Sequence, residues 1–206
     1  MFRGASKLTM LKISSGKEEL KECLNSFIWT FKIGDNILYN LDVIFQLVDD
    51  HNKLEGHNYA KPTSVLCVSI IEAILVDFLE RLDSATRHFP SKLDAKRTDI
   101  KNELEAEKND FQSTYKGKVY QYKRLRNFGY KELVEFYEKF HIFGPSPNPY
   151  EALQNLGRFR NRVHIRNYFG NFERDESRTF SERRAQRTID SMESIFKYFN
   201  KNYPRP

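Results

Sequence analysis

The run from Ser64 to Leu82 constrains the chain most. Val65, Leu66, Val68, Ile70, Ile71, Ile74, Leu75, Phe78, Leu79 and Leu82 fall at spacings that cover most of a helix circumference. A helix that is apolar nearly all round has to be enclosed, so this one is expected at the centre of a helical core. Pro62 followed by Thr63 or Ser64 gives its start signal. Its polar residues are confined. Ser69, Glu72, Glu80 and Asp83 share a narrow sector, with Asp77 at its edge. A solvated stripe is the default explanation of such a sector; a stripe that faces a partner helix or an active site is the other. Glu72 and Asp77 also interrupt the run, so no membrane span is expected from it.

The remaining segments read as helices that would pack around this one. From Lys17, the residues Leu20, Cys23, Leu24, Phe27, Ile28 and Phe31 make one apolar face at helical spacing. Gly34-Asp35-Asn36 offers a break and a new cap, although a helix can also continue through Gly34 at a cost of about 1 kcal/mol relative to alanine. Ile37, Leu38, Leu41, Ile44, Phe45 and Val48 repeat the pattern, and Asp49 to Pro62 reads as a loop. In 91–112 only Leu93, Ile100, Leu104 and Phe111 stand among charged residues, which predicts a long exposed helix. Residues 113–129 look irregular, with a basic and aromatic run from Tyr115 to Arg126. Such a run can stack bases and hold phosphates, or be a basic loop that packs its tyrosines. Tyr130 to Phe143 predicts a short amphipathic helix, ended by Gly144-Pro145-Ser146-Pro147.

The clearest start signal is Asn148 as cap, Pro149 at the first helical position and Glu151 where a capping box puts its acid. The stripe expected to be buried on this helix is Ala152, Leu156, Phe159 and Val163. Residues 167–180 read as a polar loop. Thr179 and Glu182 form a second capping pattern, and the last helix should bury Ala185, Ile189, Met192, Ile195, Phe196 and Phe199. No segment reads convincingly as a strand. The expected class is all-α, an up-and-down helical bundle: a flexible tail over 1–16, an N-terminal helical pair over 17–62 packed on the core, and the bundle proper over 63–206, all in one domain.

Composition narrows the function. The formal charge of +6 favours acidic partners such as nucleic acid, but only weakly, since 34 basic residues are opposed by 28 acidic ones. Cys23 and Cys67 both sit at core positions, and with no CxxC pattern neither a zinc site nor any other metal or cofactor is expected. Residues 1–16 lack a signal peptide's apolar centre, so a cytoplasmic location is expected. No Gly-rich phosphate loop or nucleophile elbow occurs. His51, His57, His88 and His141 each stand alone and read as surface residues.

One stretch carries candidate chemistry. Gly157-Arg158-Phe159-Arg160-Asn161-Arg162-Val163-His164-Ile165-Arg166-Asn167 packs four arginines, two asparagines and a histidine into eleven residues. On a helix Arg160 and His164 share a face, on the flank of Leu153 and Gly157, while Arg158 and Arg162 point nearly the other way. A guanidinium beside a titratable imidazole is a phosphate-handling pair; a basic helix surface is the plain alternative. Gly157, with no side chain, would let a backbone or a ligand come close.

Two segments resemble the HEPN family of all-helical domains. Leu156 to Ile165 is similar to the family's arginine-asparagine-to-histidine signature. Ser69-Ile70-Ile71-Glu72-Ala73-Ile74-Leu75 is similar to its apolar helix with an embedded glutamate. The resemblance covers roughly Thr63 to Tyr203. It maps the motif onto Arg160, Asn161 and His164, with a shorter interval between arginine and histidine than the family usually shows.

The resemblance implies a metal-independent endoribonuclease of the kind found in toxin–antitoxin and phage-defence systems. RNA would be the substrate, and a homodimer through the motif helix would form the cleft. An antitoxin or nucleotidyltransferase is the implied partner. Arg160 would hold the phosphate, Asn161 would orient it, His164 would be the acid or base, and Glu72 would fix the histidine tautomer. A non-catalytic RNA- or protein-binding module is the alternative, and a structural Arg-His-Glu network that staples the bundle is a third reading.

Overall fold

The computed structural model describes residues 10–54, 58–85, 87–108, 112–115, 118–121, 129–161 and 180–206, with 107–108, 112–115, 118–121 and 158–161 described in their main chain only. The fold is all-helical in its core, as expected. Among the described residues the elements are α1 (Lys17–Phe27), α2 (Phe31–Lys53), α3 (Ala60–Ser84), a 3-10 turn (Ser91–Lys96), α4 (Arg97–Lys108), α5 (Tyr130–Lys139), α6 (Asn148–Asn161) and α7 (Glu182–Asn202). A short antiparallel hairpin, β1 (Gln112–Tyr115) with β2 (Lys118–Gln121), pairs Ser113 with Tyr120 and Thr114 with Val119. It corrects the irregular reading of that segment. Four-residue strands are too short to show a period of two against the background of basic residues.

Helix α3 is the hub, packed against α2, α7, α6, α4 and α5. Cys67, Val68, Ile70, Ile71, Ile74, Leu75, Phe78, Leu79 and Leu82 are all buried, so the nearly all-round apolar pattern is enclosed as expected. Among the described helices α3 alone is long and apolar enough to cross a membrane, and most of that apolar window is buried inside the fold. On α7 all six expected positions, from Ala185 to Phe199, are buried.

The loop read over Asp49 to Pro62 is shorter than expected, since α2 continues to Lys53 and α3 already begins at Ala60. Three further differences concern what holds the chain. The break between the first two helices lies at Ile28–Thr30, not at Gly34. The Asp77 carboxylate on α3 accepts the main-chain N–H groups of Trp29 and Thr30, each at 2.6 Å, and Glu80 accepts the Thr30 hydroxyl at 3.1 Å. Helix-start N–H groups need acceptors, and here another helix provides them. Gly34 sits inside α2, where a Cβ would meet Ile28 Cγ2 at 3.4 Å. Phe31, expected on the apolar face, is 80% exposed because the chain turns before it.

The second difference is at α5, which stops at Lys139. The following turn carries His141 at φ 51° and Gly144 at φ 89°. Three tyrosines hold this turn. Tyr198 and Tyr203 both donate to the Ile142 carbonyl, at 2.7 and 2.9 Å. The Tyr150 hydroxyl donates to the Gly144 carbonyl at 2.8 Å and accepts the Phe143 N–H at 2.9 Å.

The third is the tail. Residues 10–16 are not free: Leu11 and Ser15 are buried, and side chains from α2 and α7 bind the main chain. Three apolar residues, Met10, Leu11 and Ile13, are too short a run to set a helical period, so only the tertiary structure reveals the contact. The segment 91–108 is also better packed than its composition suggests, with Leu93, Ile100 and Leu104 all buried.

Candidate functional site

The candidate motif begins on the last turns of α6. This helix packs on α3 and α5, and its buried residues are Tyr150, Leu153, Leu156 and Gly157. Ala152 is exposed, so the buried stripe is rotated from the expected Ala152-Leu156 register; Phe159 and Val163, the rest of that stripe, lie outside the described side chains. Two anchors set the rotation. The Tyr150 hydroxyl is tied to the Phe143–Gly144 turn, and Gly157 lies against the ring of Tyr130 at the start of α5. A Cβ on residue 157 would stand 2.5 Å from Tyr130 Cδ1 and 2.8 Å from Cε1. The close approach expected at Gly157 is therefore made by an aromatic ring. By helical register position 160 follows 153, 156 and 157 on the same face.

Arg160 and Asn161 are the final residues of α6. Their side chains lie outside the described residues, as do Arg158, Arg162 and His164. Glu72 is half-buried on α3. Its juxtaposition with Arg160, Asn161 and His164 falls outside the described residues. The basic and aromatic run between Tyr115 and Arg126 lies partly on β1 and β2 and otherwise outside them.

The polar sector of α3 has a described role at its C-terminal half. Asp77 and Glu80 face the junction of α1 and α2, which is the partner-helix reading of that sector. One turn on, the buried Arg81 donates to the carbonyls of Tyr203 and Pro204, at 2.7 and 3.0 Å, and its guanidinium lies over the rings of Trp29 and Phe78. Burial lifts the Asp77 carboxyl above its ordinary value against the pull of the two N–H bonds, and Glu80 adds to the rise. This cluster holds the end of α7 to the α1–α2 corner: Asp77 and the two terminal nitrogens of Arg81 bond main chain, and Glu80 bonds the Thr30 hydroxyl.

His51, read as a surface residue, is 3% exposed, and its Nδ1 accepts the Tyr59 N–H at 3.2 Å. The signal was present: Leu41, Ile44, Val48 and His51 continue one helical stripe. His88 and His141 are exposed, and His57 lies outside the described residues.

A half-open groove of about 420 Å³ runs between α6 and α7, with Leu153, Leu156, Ile195 and Tyr198 in its wall. The hydroxyls of Ser191 and Ser194 on its rim bond to helix carbonyls, which leaves the wall mainly apolar. Among the described residues no group of three His, Cys, Asp or Glu stands close enough to hold a metal ion. Compared with protein-family models, curated proteins and solved structures, the chain matches none.

Proposed function

We propose that the chain is a HEPN-like, metal-independent endoribonuclease whose site is built from Arg160, Asn161 and His164, with Glu72 as a positioning residue. One observation carries the reading: Arg160 and Asn161 close a helix whose rotation is fixed by Tyr150 and Gly157, and His164 follows three residues later in the sequence. His164 takes the proton of a ribose 2′-hydroxyl as its oxygen attacks phosphorus, and the departing 5′-oxygen takes a proton from water as the P–O bond breaks. Arg160 neutralises the charge gathered on the phosphate oxygens. The products are a 2′,3′-cyclic phosphate and a 5′-hydroxyl.

A single such pair makes a thin active site, so the reading includes a homodimer that brings two motif helices together. It also includes a cytoplasmic location and an antitoxin-like or nucleotidyltransferase partner. The decisive experiment is cleavage of mixed RNA in EDTA by the wild type and by His164→Ala. Cleavage confined to the wild type supports the reading; equal cleavage by both overturns it.

The short interval between Arg160 and His164 favours a second reading, a HEPN-like module that binds RNA or protein without cutting. Tight, salt-sensitive RNA binding with no cleavage would identify it as an RNA binder. Little RNA affinity, or a shallow salt dependence, would point instead to a protein partner.

A further inference from the structure

Residues 10–16 form an extended strap that the rest of the molecule reads almost as a ligand. Burial alternates along it: Leu11 is buried, Lys12 exposed, Ile13 half-buried, Ser14 exposed and Ser15 buried. This is the in-and-out pattern of a strand, yet among the described residues no other main chain pairs with 10–15. Side chains do so instead. On α2, Asn52 Oδ1 accepts the Leu11 N–H at 2.9 Å while its Nδ2 donates to the Leu11 carbonyl at 2.8 Å. On α7, Gln186 Oε1 accepts the Lys12 N–H at 2.8 Å while its Nε2 donates to the Lys12 carbonyl at 2.7 Å. Each amide satisfies both main-chain groups of one residue.

The α7 face is set up for this work. Gln186 Nε2 also donates to Asp190 Oδ1 at 2.8 Å, which fixes which end of the amide is donor and which acceptor. One turn further, the buried Glu193 carboxylate accepts the N–H groups of Ser14 and Ser15, at 3.1 and 2.5 Å. Gln186, Asp190 and Glu193 are spaced to share one helix face. Recognition of this kind demands main-chain geometry at every position and side-chain identity only at the inward ones. Gly16 then joins the strap to α1, where a Cβ would meet nothing within 4 Å.

We propose that Asn52, Gln186 and Glu193 form a binding site for an extended peptide of the pattern aliphatic-x-aliphatic-x-small, and that residues 11–15 occupy it in cis as a releasable competitor. The strap occupies these side chains at the effective concentration of a short tether, on the order of millimolar. A peptide in trans gains access when the strap lets go.

The test uses the full chain and a fluorescent peptide with the sequence of residues 10–16. Leu11→Asp releases the cis strap, and this variant should bind the peptide at least about tenfold more tightly than the wild type does. Adding Asn52→Asp and Gln186→Glu, which keep shape but lose the donors, should abolish the gain. A peptide carrying Lys12→Ala should bind as well as the parent, and one carrying Leu11→Asp should not bind. A folded Leu11→Asp chain that ignores the peptide, or binding indifferent to the Asn52 and Gln186 substitutions, overturns the proposal. Amide exchange on the wild type decides the matter should that variant fail to fold. The N–H groups of Leu11, Lys12, Ser14 and Ser15 should exchange together and well before those of Phe196 and its neighbours on α7. Exchange only alongside the α7 core would make the strap an inseparable part of the fold and end the proposal.

Discussion

The ring of Tyr130 occupies the space a side chain at Gly157 would need, with Cδ1 2.5 Å from the ideal Cβ position. Tyr130 is buried at the start of α5 and Gly157 is buried one turn before the end of α6, so this contact locks the two helices at the end that leads into the candidate motif.

Gly157→Ala sets two effects against each other. Alanine favours the helix by about 1 kcal/mol. Overpacking a buried contact costs about 1–3 kcal/mol, and the ring has to move by more than a few tenths of an ångström. The expected outcome is a net loss of up to about 2 kcal/mol, read as a fall in Tm of up to several degrees for a chain of this length. Shortening the ring with Tyr130→Leu should cost less in the Gly157→Ala background than in the wild type, a coupling that a double-mutant cycle measures.

The Asp77 carboxyl is lifted by burial, so the folded chain holds its proton to a higher pH than the unfolded chain does. Between the ordinary carboxylate value and the raised one, the folded state binds more protons, and this group's contribution to stability falls as pH rises. Asp77→Asn removes that slope. Denaturant melts across the acid range should show the wild type losing stability relative to Asp77→Asn as pH is raised. Asp77→Ala should be the most damaging change, by about 2–4 kcal/mol, because it leaves two helix-start N–H groups without acceptors.

Neither cysteine should react in the native chain. Burial pushes the Cys67 thiol well up, with the Glu193 charge as a smaller push the same way, and burial also raises Cys23. The thiolate is the reactive form. Treatment with a thiol reagent near neutral pH should label neither residue until the chain is unfolded, and then both.

At the candidate motif, Arg160→Lys keeps the charge but loses the fork that grips two phosphate oxygens. In an RNA cleavage assay it should lower kcat by about 10²-fold, with a smaller change in KM. Far-UV circular dichroism should be unchanged. A raised KM with kcat unchanged would place Arg160 in substrate binding alone.

The sequence by itself determined the helical class, the central place of α3 and the buried faces of α2 and α7. These follow from periodicity, because a helix that buries one face must repeat its apolar residues every three or four positions. It also singled out Arg160, Asn161 and His164 as candidates, and Gly157 as the position where something comes close. What only the tertiary structure decided are the polar choices. Asp77 caps the entry to α2 from another helix, Tyr150 and Tyr130 set the rotation of α6, and Asn52, Gln186 and Glu193 bind a strap that reads as a tail. Each satisfies a main-chain group far away in the chain, and such pairing leaves no periodic trace, because one hydrogen bond needs only one well-placed side chain.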